Sequence, residues 1–140
     1  MSTLDMPKQG AVPLGRALVL LVEDNHLNQM VAHGMLRLLG YTSHCVSDGL
    51  QALTELHAYQ YPVVLMDVQM PELDGYQATR RIRAELPAER QPYIIALTAN
   101  AMSGDAERCR AAGMDDYLAK PLTKDALRAA LVRATQAAGS

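Results

Sequence analysis

The sequence predicts an α/β fold, a doubly wound sheet of five parallel strands covered by five helices on its two faces. Two observations favour this class. Short apolar runs alternate with segments in which apolar residues recur every three or four positions, as buried strands and amphipathic helices require. The length of 140 residues also suits one domain. Right-handed crossovers leave few topologies for such a sheet. Because its strands run parallel, their carboxyl ends all lie at one edge, where ligand sites of such sheets are found.

The predicted strands are short apolar runs. A strand between two layers of helices is buried on both faces, which the first run, ALVLLV at 17–22, and the third, VVLM at 63–66, satisfy without a polar interruption. The second run is weaker. In chain order, the predicted strands are 17–22, 41–46, 63–66, 93–97 and 116–118.

Each predicted strand is followed by a segment with helical periodicity. The first of these helices ends at Gly40 and the fourth at Gly113, because glycine is typical of helix C-termini. The second begins after a cap at Ser47 or Asp48, and Thr123 caps the fifth. The third is marked by Tyr76, Thr79 and Ile82 at helical spacing and closes near Pro87. The others cover 27–39, 50–57, 102–112 and 123–137.

The segment before the first strand has no apolar period and carries two prolines and two glycines. We therefore predict a linker or disordered lead-in at 1–16, the folded domain at 17–137 and a tail at 138–140.

Composition excludes several classes of function. The 15 acidic and 13 basic residues nearly cancel, and the chain has no Phe and no Trp. Direct binding of nucleic acid by a basic field or by aromatic stacking is therefore not expected. No apolar run approaches the ~20 residues of a membrane span, so no membrane contact by this domain is expected. Two distant cysteines, Cys45 and Cys109, favour a reducing cytoplasm.

Polar side chains follow four of the predicted strands. Glu23 and Asp24 follow the first, Asp67 the third, Thr98 the fourth and Lys120 the fifth. Three carboxylates held together repel one another unless a cation lies among them. Oxygen ligands without His or Cys favour Mg²⁺. Mg²⁺, an ammonium group and a hydroxyl around one carboxylate suit a phosphoryl group, with the central carboxylate as nucleophile.

These strand ends resemble the receiver domain of the two-component response-regulator family, over about residues 17–137. The motifs are most similar to those in receivers of hybrid sensor histidine kinases. The resemblance implies a flavodoxin-like sheet with strand order 2-1-3-4-5. The segments that carry it are VEDN at 22–25, LMDVQMP at 65–71, DG at 74–75, ALTANA at 96–101, GMDDYL at 113–118 and KPL at 120–122.

The resemblance also implies the chemistry of the site. Asp67 is expected to accept a phosphoryl group from a phosphohistidine. Asp24 and Asp67 would bind Mg²⁺ directly, Glu23 through water, and Gln69 through its backbone carbonyl. Thr98 would hydrogen-bond the phosphoryl group.

Further roles follow from the same resemblance. Lys120 is expected to pair with the phosphoryl group, and the Lys120–Pro121 bond to be cis. Tyr117 occupies the family's switch position and is expected to turn inward on phosphorylation. Met70, Pro71 and Gly75 would shape the loop after the phosphoacceptor. The side chains of Gln69 and Asn100 are hypothesised to modulate the lifetime of the phosphoryl group.

The expected function is that of a phosphoacceptor and protein-interaction switch in a phosphorelay, with slow self-dephosphorylation rather than enzymatic turnover. The implied partners are a histidine kinase or a histidine-phosphotransfer domain, and a downstream or same-chain signalling domain. A cytoplasmic location is expected, including the cytoplasmic part of a membrane-anchored sensor kinase. A free-standing regulator and a fragment of a hybrid kinase both stay open, with the fragment favoured.

Two alternative functions are weighed. A Mg²⁺-dependent aspartate-nucleophile phosphatase uses similar strand-end carboxylates, but it needs a second acid two positions after the nucleophile, where Gln69 stands. A phosphorylation-independent interaction module does not need the complete set of acids, threonine and lysine. The Arg80, Arg81 and Arg83 cluster is interpreted as a solvated face.

Overall fold

The computed structural model describes residues 18–70, 73–99 and 104–139. In these residues, five strands alternate with five α-helices. The strands are β1 (Leu18–Val22), β2 (Thr42–Val46), β3 (Val63–Asp67), β4 (Tyr93–Thr98) and β5 (Asp116–Ala119). The helices are α1 (His26–Leu38), α2 (Gly49–Ala58), α3 (Gly75–Glu85), α4 (Ala106–Ala112) and α5 (Lys124–Gly139), with a 3-10 helix at Ala88–Arg90. The predicted lead-in at 1–16, Pro71 and Asn100 lie outside the described residues.

The five strands form one parallel sheet in the order β2-β1-β3-β4-β5, which confirms the predicted topology. The register places Asp67 beside Leu97 and Thr98 beside Ala119. The last residues of β3, β4 and β5 therefore lie at the same edge of the sheet.

Two apolar cores, one on each face of the sheet, hold the helices in place. Side chains alternate along a strand, so Val19 and Leu21 enter the core under α1 and α5, whereas Leu20 and Val22 enter the core under α2, α3 and α4. All four are fully buried. Burying each such side chain contributes about 1.5–3 kcal/mol. This burial on both faces explains why β1 is an unbroken apolar run.

Side-chain caps fix the start of four helices, and the predicted cap of α5 is present, because the Thr123 hydroxyl accepts from the Ala126 N–H at 3.2 Å. Asn25 and Asp48 each accept a hydrogen bond from the backbone N–H three residues later, at 2.9 and 2.8 Å. Of the two caps proposed for α2, the structure therefore uses Asp48. Asp74 and Gln77 form a reciprocal capping box at the start of α3. A cap of this kind contributes about 1 kcal/mol. The caps of α1 and α3 also fix the ends of the two loops that carry the strand-end carboxylates.

One of two predictions about local structure was wrong. The helix predicted at 102–112 is helical throughout its described part, with π-helical geometry at residues 104 and 105 and an α-helix from Ala106, while residues 102 and 103 lie outside the described residues. Arg83 does not belong to a solvated face. Its guanidinium donates to the carbonyls of Gly113 and Pro92 and to the side chains of Gln91 and Asp115. Spacing along the helix cannot reveal this, because the four acceptors come from other segments.

The apolar positions of α1 divide between the core and the surface. Ala32 and Leu36 are buried, but Leu27, Met30 and Leu38 are 66%, 59% and 78% exposed. Such a row of large apolar side chains on one helix marks a candidate protein-binding surface. Among the described residues, no helix has both the length and the apolar content that a membrane crossing requires.

Candidate functional site

Three carboxylates meet at the carboxyl edge of the sheet. Glu23 follows β1 and Asp67 is the last residue of β3, and each is only 2% exposed, whereas Asp24 is exposed. One carboxylate oxygen from each of the three lies within 4.8 Å of the others. The structure thus brings together the three acids that the sequence places at strand ends. An exposed acid beside two buried ones leaves the cluster open to solvent on one side.

Lys120 provides the positive charge at this cluster. Its Nζ donates to Asp67 Oδ2 at 2.9 Å and lies 3.6 Å from Glu23 Oε1. Burial acts to lower the pKa of Lys120, but the hydrogen bond and charge of Asp67 and the charge of Glu23 outweigh it and raise the pKa above its ordinary value. The ammonium group therefore stays protonated and partly neutralises the two buried carboxylates.

Glu23 is held in a position that opposes its ionisation. Burial raises its pKa, the N–H of Asn25 lowers it, and the nearby charge of Asp67 raises it again, with a net rise. The Asn25 N–H donates to Glu23 Oε2 at 3.1 Å, and Gln29 donates to the Glu23 carbonyl at 2.6 Å. An additional cation at the cluster would relieve this cost, because it favours the ionised form.

Asp67 is fixed by contacts to both of its carboxylate oxygens. Lys120 contacts Oδ2, and the backbone N–H of Gln69 donates to Oδ1 at 3.0 Å. The Gln69 side chain is exposed. These two contacts fix the position of the carboxylate. A fixed carboxylate needs little reorganisation before it reacts.

Thr98 ends β4, next to the strand that carries Asp67, and it is 1% exposed. Its hydroxyl donates a hydrogen bond to Asp105 Oδ2 at 2.6 Å. Its carbonyl accepts from the N–H of Lys120 at 2.8 Å, which joins the ends of β4 and β5. The structure therefore places the predicted hydroxyl at the right edge of the sheet, with an acidic partner that the sequence does not reveal.

The residues predicted to act around the switch lie on β5 and in the loop after it. Tyr117 is 38% exposed in this structure. A cavity of about 210 Å³ lies beside it, lined in part by Cys109 and Met114. The Lys120–Pro121 peptide bond is cis. The cavity offers space for an aromatic ring on the face formed by α4 and β5.

The loop after Asp67 is tightly packed against the start of α3. Met70 is 8% exposed. Gly75 lies directly against the backbone of Asp67 and Val68, and a Cβ at this position would come within 2.8 Å of Val68 Cα. Only glycine allows this close approach. Of the other predicted loop residues, Pro71 and Asn100 lie outside the described residues.

Sequence reasoning missed the acidic partner of Thr98 and its neighbours. Asp105 accepts from Thr98, and its other oxygen lies 4.0 Å from the guanidinium of Arg108. Arg108 in turn covers the ring of Tyr76, with its Cζ 4.4 Å from the ring centroid. The i, i+3 spacing of Asp105 and Arg108 indicates an ion pair, but nothing in the sequence indicates the contact with Thr98.

Comparison with known proteins identifies the family. Residues 19–132 match the family model of the response regulator receiver domain, so the chain belongs to that family. Among curated relatives, it is 40% identical to probable histidine kinase 1 of Oryza sativa subsp. indica and 39% identical to histidine kinase 5 of Arabidopsis thaliana. These matches cover 76% and 81% of this chain but only 14% and 15% of the two relatives. The chain is thus a receiver domain of two-component phosphorelay systems, and the resemblance seen in its motifs is confirmed.

Solved structures agree in sequence and fold. The receiver domain of sensor histidine kinase PA1611 from Pseudomonas aeruginosa PAO1, which has a magnesium ion coordinated in its active site cleft, is 50% identical with a TM-score of 0.77. That match covers 85% of this chain and 97% of that one. Full-length ShkA in complex with AMPPNP is 46% identical with a TM-score of 0.75, over 85% of this chain and 24% of that one.

Proposed function

We propose that Asp67 accepts a phosphoryl group from a phosphohistidine and that the resulting charge switches a protein-interaction face of the domain. The observation that carries this proposal is the position of Asp67 in contact with Lys120 at 2.9 Å and within 4.8 Å of two further carboxylates. In the transfer, the phosphorus–nitrogen bond of the donor breaks and a bond between phosphorus and an Asp67 oxygen forms. The imidazole leaves as a neutral ring when its other nitrogen carries a proton.

The residues present fit a Mg²⁺ ion. Mg²⁺ prefers oxygen ligands and often binds through one or two carboxylates together with a phosphate. Asp24 and Asp67 would hold the ion directly, with Glu23 acting through water and Gln69 through its carbonyl. When bound, the ion would neutralise charge on the phosphoryl oxygens. Lys120 would balance a further part of that charge, and Thr98 would donate a hydrogen bond to a phosphoryl oxygen.

An apolar surface beside the site supports a protein rather than a small molecule as the phosphoryl donor. A groove of about 220 Å³ lies between the cluster and α1 and is lined in part by Glu23, Val31 and Lys120. One of its lining side chains, Val31, is 47% exposed and belongs to the same helix as the exposed Leu27 and Met30. A histidine kinase or histidine-phosphotransfer domain that covers this surface would bring its imidazole to Asp67. We place this exchange in the cytoplasm, where the free, exposed thiol of Cys45 stays reduced.

The decisive experiment is intact-mass measurement after incubation with acetyl phosphate and Mg²⁺. We expect the wild type to gain one phosphoryl group that hydrolyses slowly, and Asp67→Asn to gain none, because an amide is not a nucleophile. Removing Mg²⁺ with a chelator should strongly reduce the adduct. Rapid turnover of generic phosphate esters without an adduct would favour the phosphatase alternative. The absence of both an adduct and turnover in the wild type would favour a phosphorylation-independent interaction module.

Mg²⁺ is also expected to stabilise the fold. A ligand that binds only the native state at tenfold excess over its Kd contributes about 1.4 kcal/mol. For a domain of this size, that raises Tm by about 3–6 °C. Asp24→Asn, at the exposed ligand, should abolish the increase in a thermal melt followed by circular dichroism. Asp125→Asn is the control, because it removes the same charge from a side chain on α5 that is 87% exposed. This variant should show the same increase in Tm as the wild type. An undiminished increase in Asp24→Asn would exclude this ligand set.

A further inference from the structure

We infer that Asp105 is a positioning residue that holds the Thr98 hydroxyl in the unphosphorylated domain. It competes with the phosphoryl group for the hydrogen bond that this hydroxyl can donate. The inference rests on the proposed function, because it takes Asp67 as the residue that carries the phosphoryl group. It adds a residue outside the predicted phosphorylation site and assigns it control over how readily the phosphorylated conformation forms.

The competition follows from the chemistry of a hydroxyl group. A threonine hydroxyl has one proton to donate. In this structure that proton is directed to Asp105 Oδ2 over 2.6 Å, a short distance typical of a charge-assisted hydrogen bond. Thr98 is 1% exposed and the Asp105 side chain is 15% exposed, so little water competes. Thr98 must therefore give up Asp105 before it can donate to a phosphoryl oxygen.

The Asp105 side chain does not cap the helix that follows it. Asp105 lies at the N-cap position of α4, where an aspartate often accepts a hydrogen bond from the helix. Here its backbone has helical angles, φ −65° and ψ −31°, and its side chain accepts no capping hydrogen bond. The carboxylate is directed instead to Thr98 on the sheet. Its placement therefore links β4 to α4 through the side chain that is proposed to sense the phosphoryl group.

Arg108 provides a second partner for Asp105. Its guanidinium lies 4.0 Å from Asp105 Oδ1 and is held over the ring of Tyr76. When Thr98 turns to the phosphoryl group, Asp105 loses the hydrogen bond that the Thr98 hydroxyl donates. It keeps its ion pair with Arg108, whose side chain is 66% exposed. The carboxylate then also repels the phosphoryl oxygens. Both effects disfavour the phosphorylated conformation.

Removal of the Asp105 carboxylate should therefore make that conformation easier to reach. The apparent affinity for a phosphoryl analogue falls in proportion to the population of the competent state, so a variant that frees Thr98 binds the analogue more tightly. We expect Asp105→Ala to bind beryllofluoride with Mg²⁺ about tenfold more tightly than the wild type, equivalent to about 1.4 kcal/mol. Asp105→Asn keeps the volume and a neutral acceptor and should give a smaller gain, about threefold.

The test is a set of beryllofluoride titrations followed by amide NMR, with folding checked by circular dichroism. A role through Thr98 requires that the Asp105→Ala gain disappear in a Thr98→Val background, which has no hydroxyl proton. A merely structural role at the start of α4 would leave the gain unchanged there. Glu107→Ala is the matched control, because it removes the same charge from an exposed position in the first turn of α4 and should alter the affinity less than twofold.

The possible results separate the two levels of the argument. A tenfold gain in Asp105→Ala that vanishes without the Thr98 hydroxyl supports the inference. No gain in Asp105→Ala, or a gain that persists in the Thr98→Val background, overturns it while the phosphoacceptor role of Asp67 stands. If the wild type and Asp67→Asn bind beryllofluoride equally, the phosphoacceptor role itself fails, and the role of Asp105 fails with it.

Discussion

Replacing Gly75 with alanine will slow phosphorylation of Asp67 by acetyl phosphate about 100-fold. The added Cβ would overlap the carbonyl oxygen of Asp67 and lie 2.8 Å from Val68 Cα. Neither is the flexible end of a side chain, so the overlap is relieved only by moving the start of α3 or the end of β3. Displacement of a reacting group by about 1 Å can cost 100-fold in rate.

Movement of α3 alone would relieve the overlap only by disrupting hydrogen bonds at the start of the helix. The Gly75 N–H donates to the Val68 carbonyl at 3.2 Å, and Asp74 is fixed in the capping box just before it. We therefore expect part of the shift to reach the Asp67 carboxylate. Overpacking of this kind also destabilises folds by about 1–3 kcal/mol, which urea denaturation will measure. Mass measurement against time gives the phosphorylation rate.

Gly34→Ala is the matched control for this substitution. Gly34 lies within α1, and an added Cβ would meet no heavy atom within 4 Å. Alanine is favoured over glycine inside a helix by about 1 kcal/mol, so this variant should be slightly stabilised and phosphorylated at the wild-type rate. A Gly75→Ala variant that reacts within threefold of the wild type would show that the loop absorbs the added methyl group without moving Asp67.

The residues that share the carboxyl edge of the sheet could be predicted because topology alone places them there. Once five apolar runs are recognised as parallel strands, Glu23, Asp67 and Thr98 must lie at one edge, whatever their rotamers. The strand-end motifs then identify the family, and the family supplies the strand order. The shared edge follows from the chain direction and the alternation of elements alone, whereas the strand order depends on the resemblance of the motifs to the family.

The partner of each polar side chain could not be predicted in the same way. The Thr98 hydroxyl contacts Asp105, seven residues later, because the chain returns from β4 into α4 and a rotamer aims the carboxylate at the sheet. The exposed apolar row on α1 is another such case. Periodicity identifies apolar positions but does not distinguish Leu36, which faces the core, from Leu38, which is 78% exposed. Such contacts depend on packing between elements far apart in sequence.

Arg83→Ala is expected to lower the free energy of unfolding by about 2–4 kcal/mol. The guanidinium donates four hydrogen bonds, at 2.8–2.9 Å, to two backbone carbonyls and two side chains. Its side chain is 25% exposed, so solvent replaces these bonds only in part. A buried acceptor left without its donor costs about 1–3 kcal/mol. The loss therefore exceeds that of an ordinary surface arginine.

The arginine joins α3 to the C-terminus of α4, to the residue before β5 and to the segment before β4. One acceptor is the carbonyl of Gly113, which ends α4 with φ +106°, and a Cβ at Gly113 would come within 2.9 Å of Arg83 Cγ. Another is Asp115, whose Oδ2 also accepts the N–H of Ile94 at 2.8 Å. Gln91, a third acceptor, donates in turn to three carbonyls at the end of α3. Loss of the guanidinium therefore loosens α3, α4 and the start of β4 together.

Two further variants separate the contribution of the guanidinium hydrogen bonds to stability from the contributions of charge and helix propensity. Arg83→Lys keeps the charge but cannot reach four acceptors, so it should recover less than half of the lost stability. Arg80→Ala, on the exposed face of the same helix, should change stability by less than about 0.5 kcal/mol. Urea denaturation with an unchanged m value measures each difference. Equal losses of unfolding free energy in Arg83→Ala and Arg80→Ala would contradict this prediction. They would mean that water replaces the guanidinium as the hydrogen-bond donor to Gly113 and Asp115.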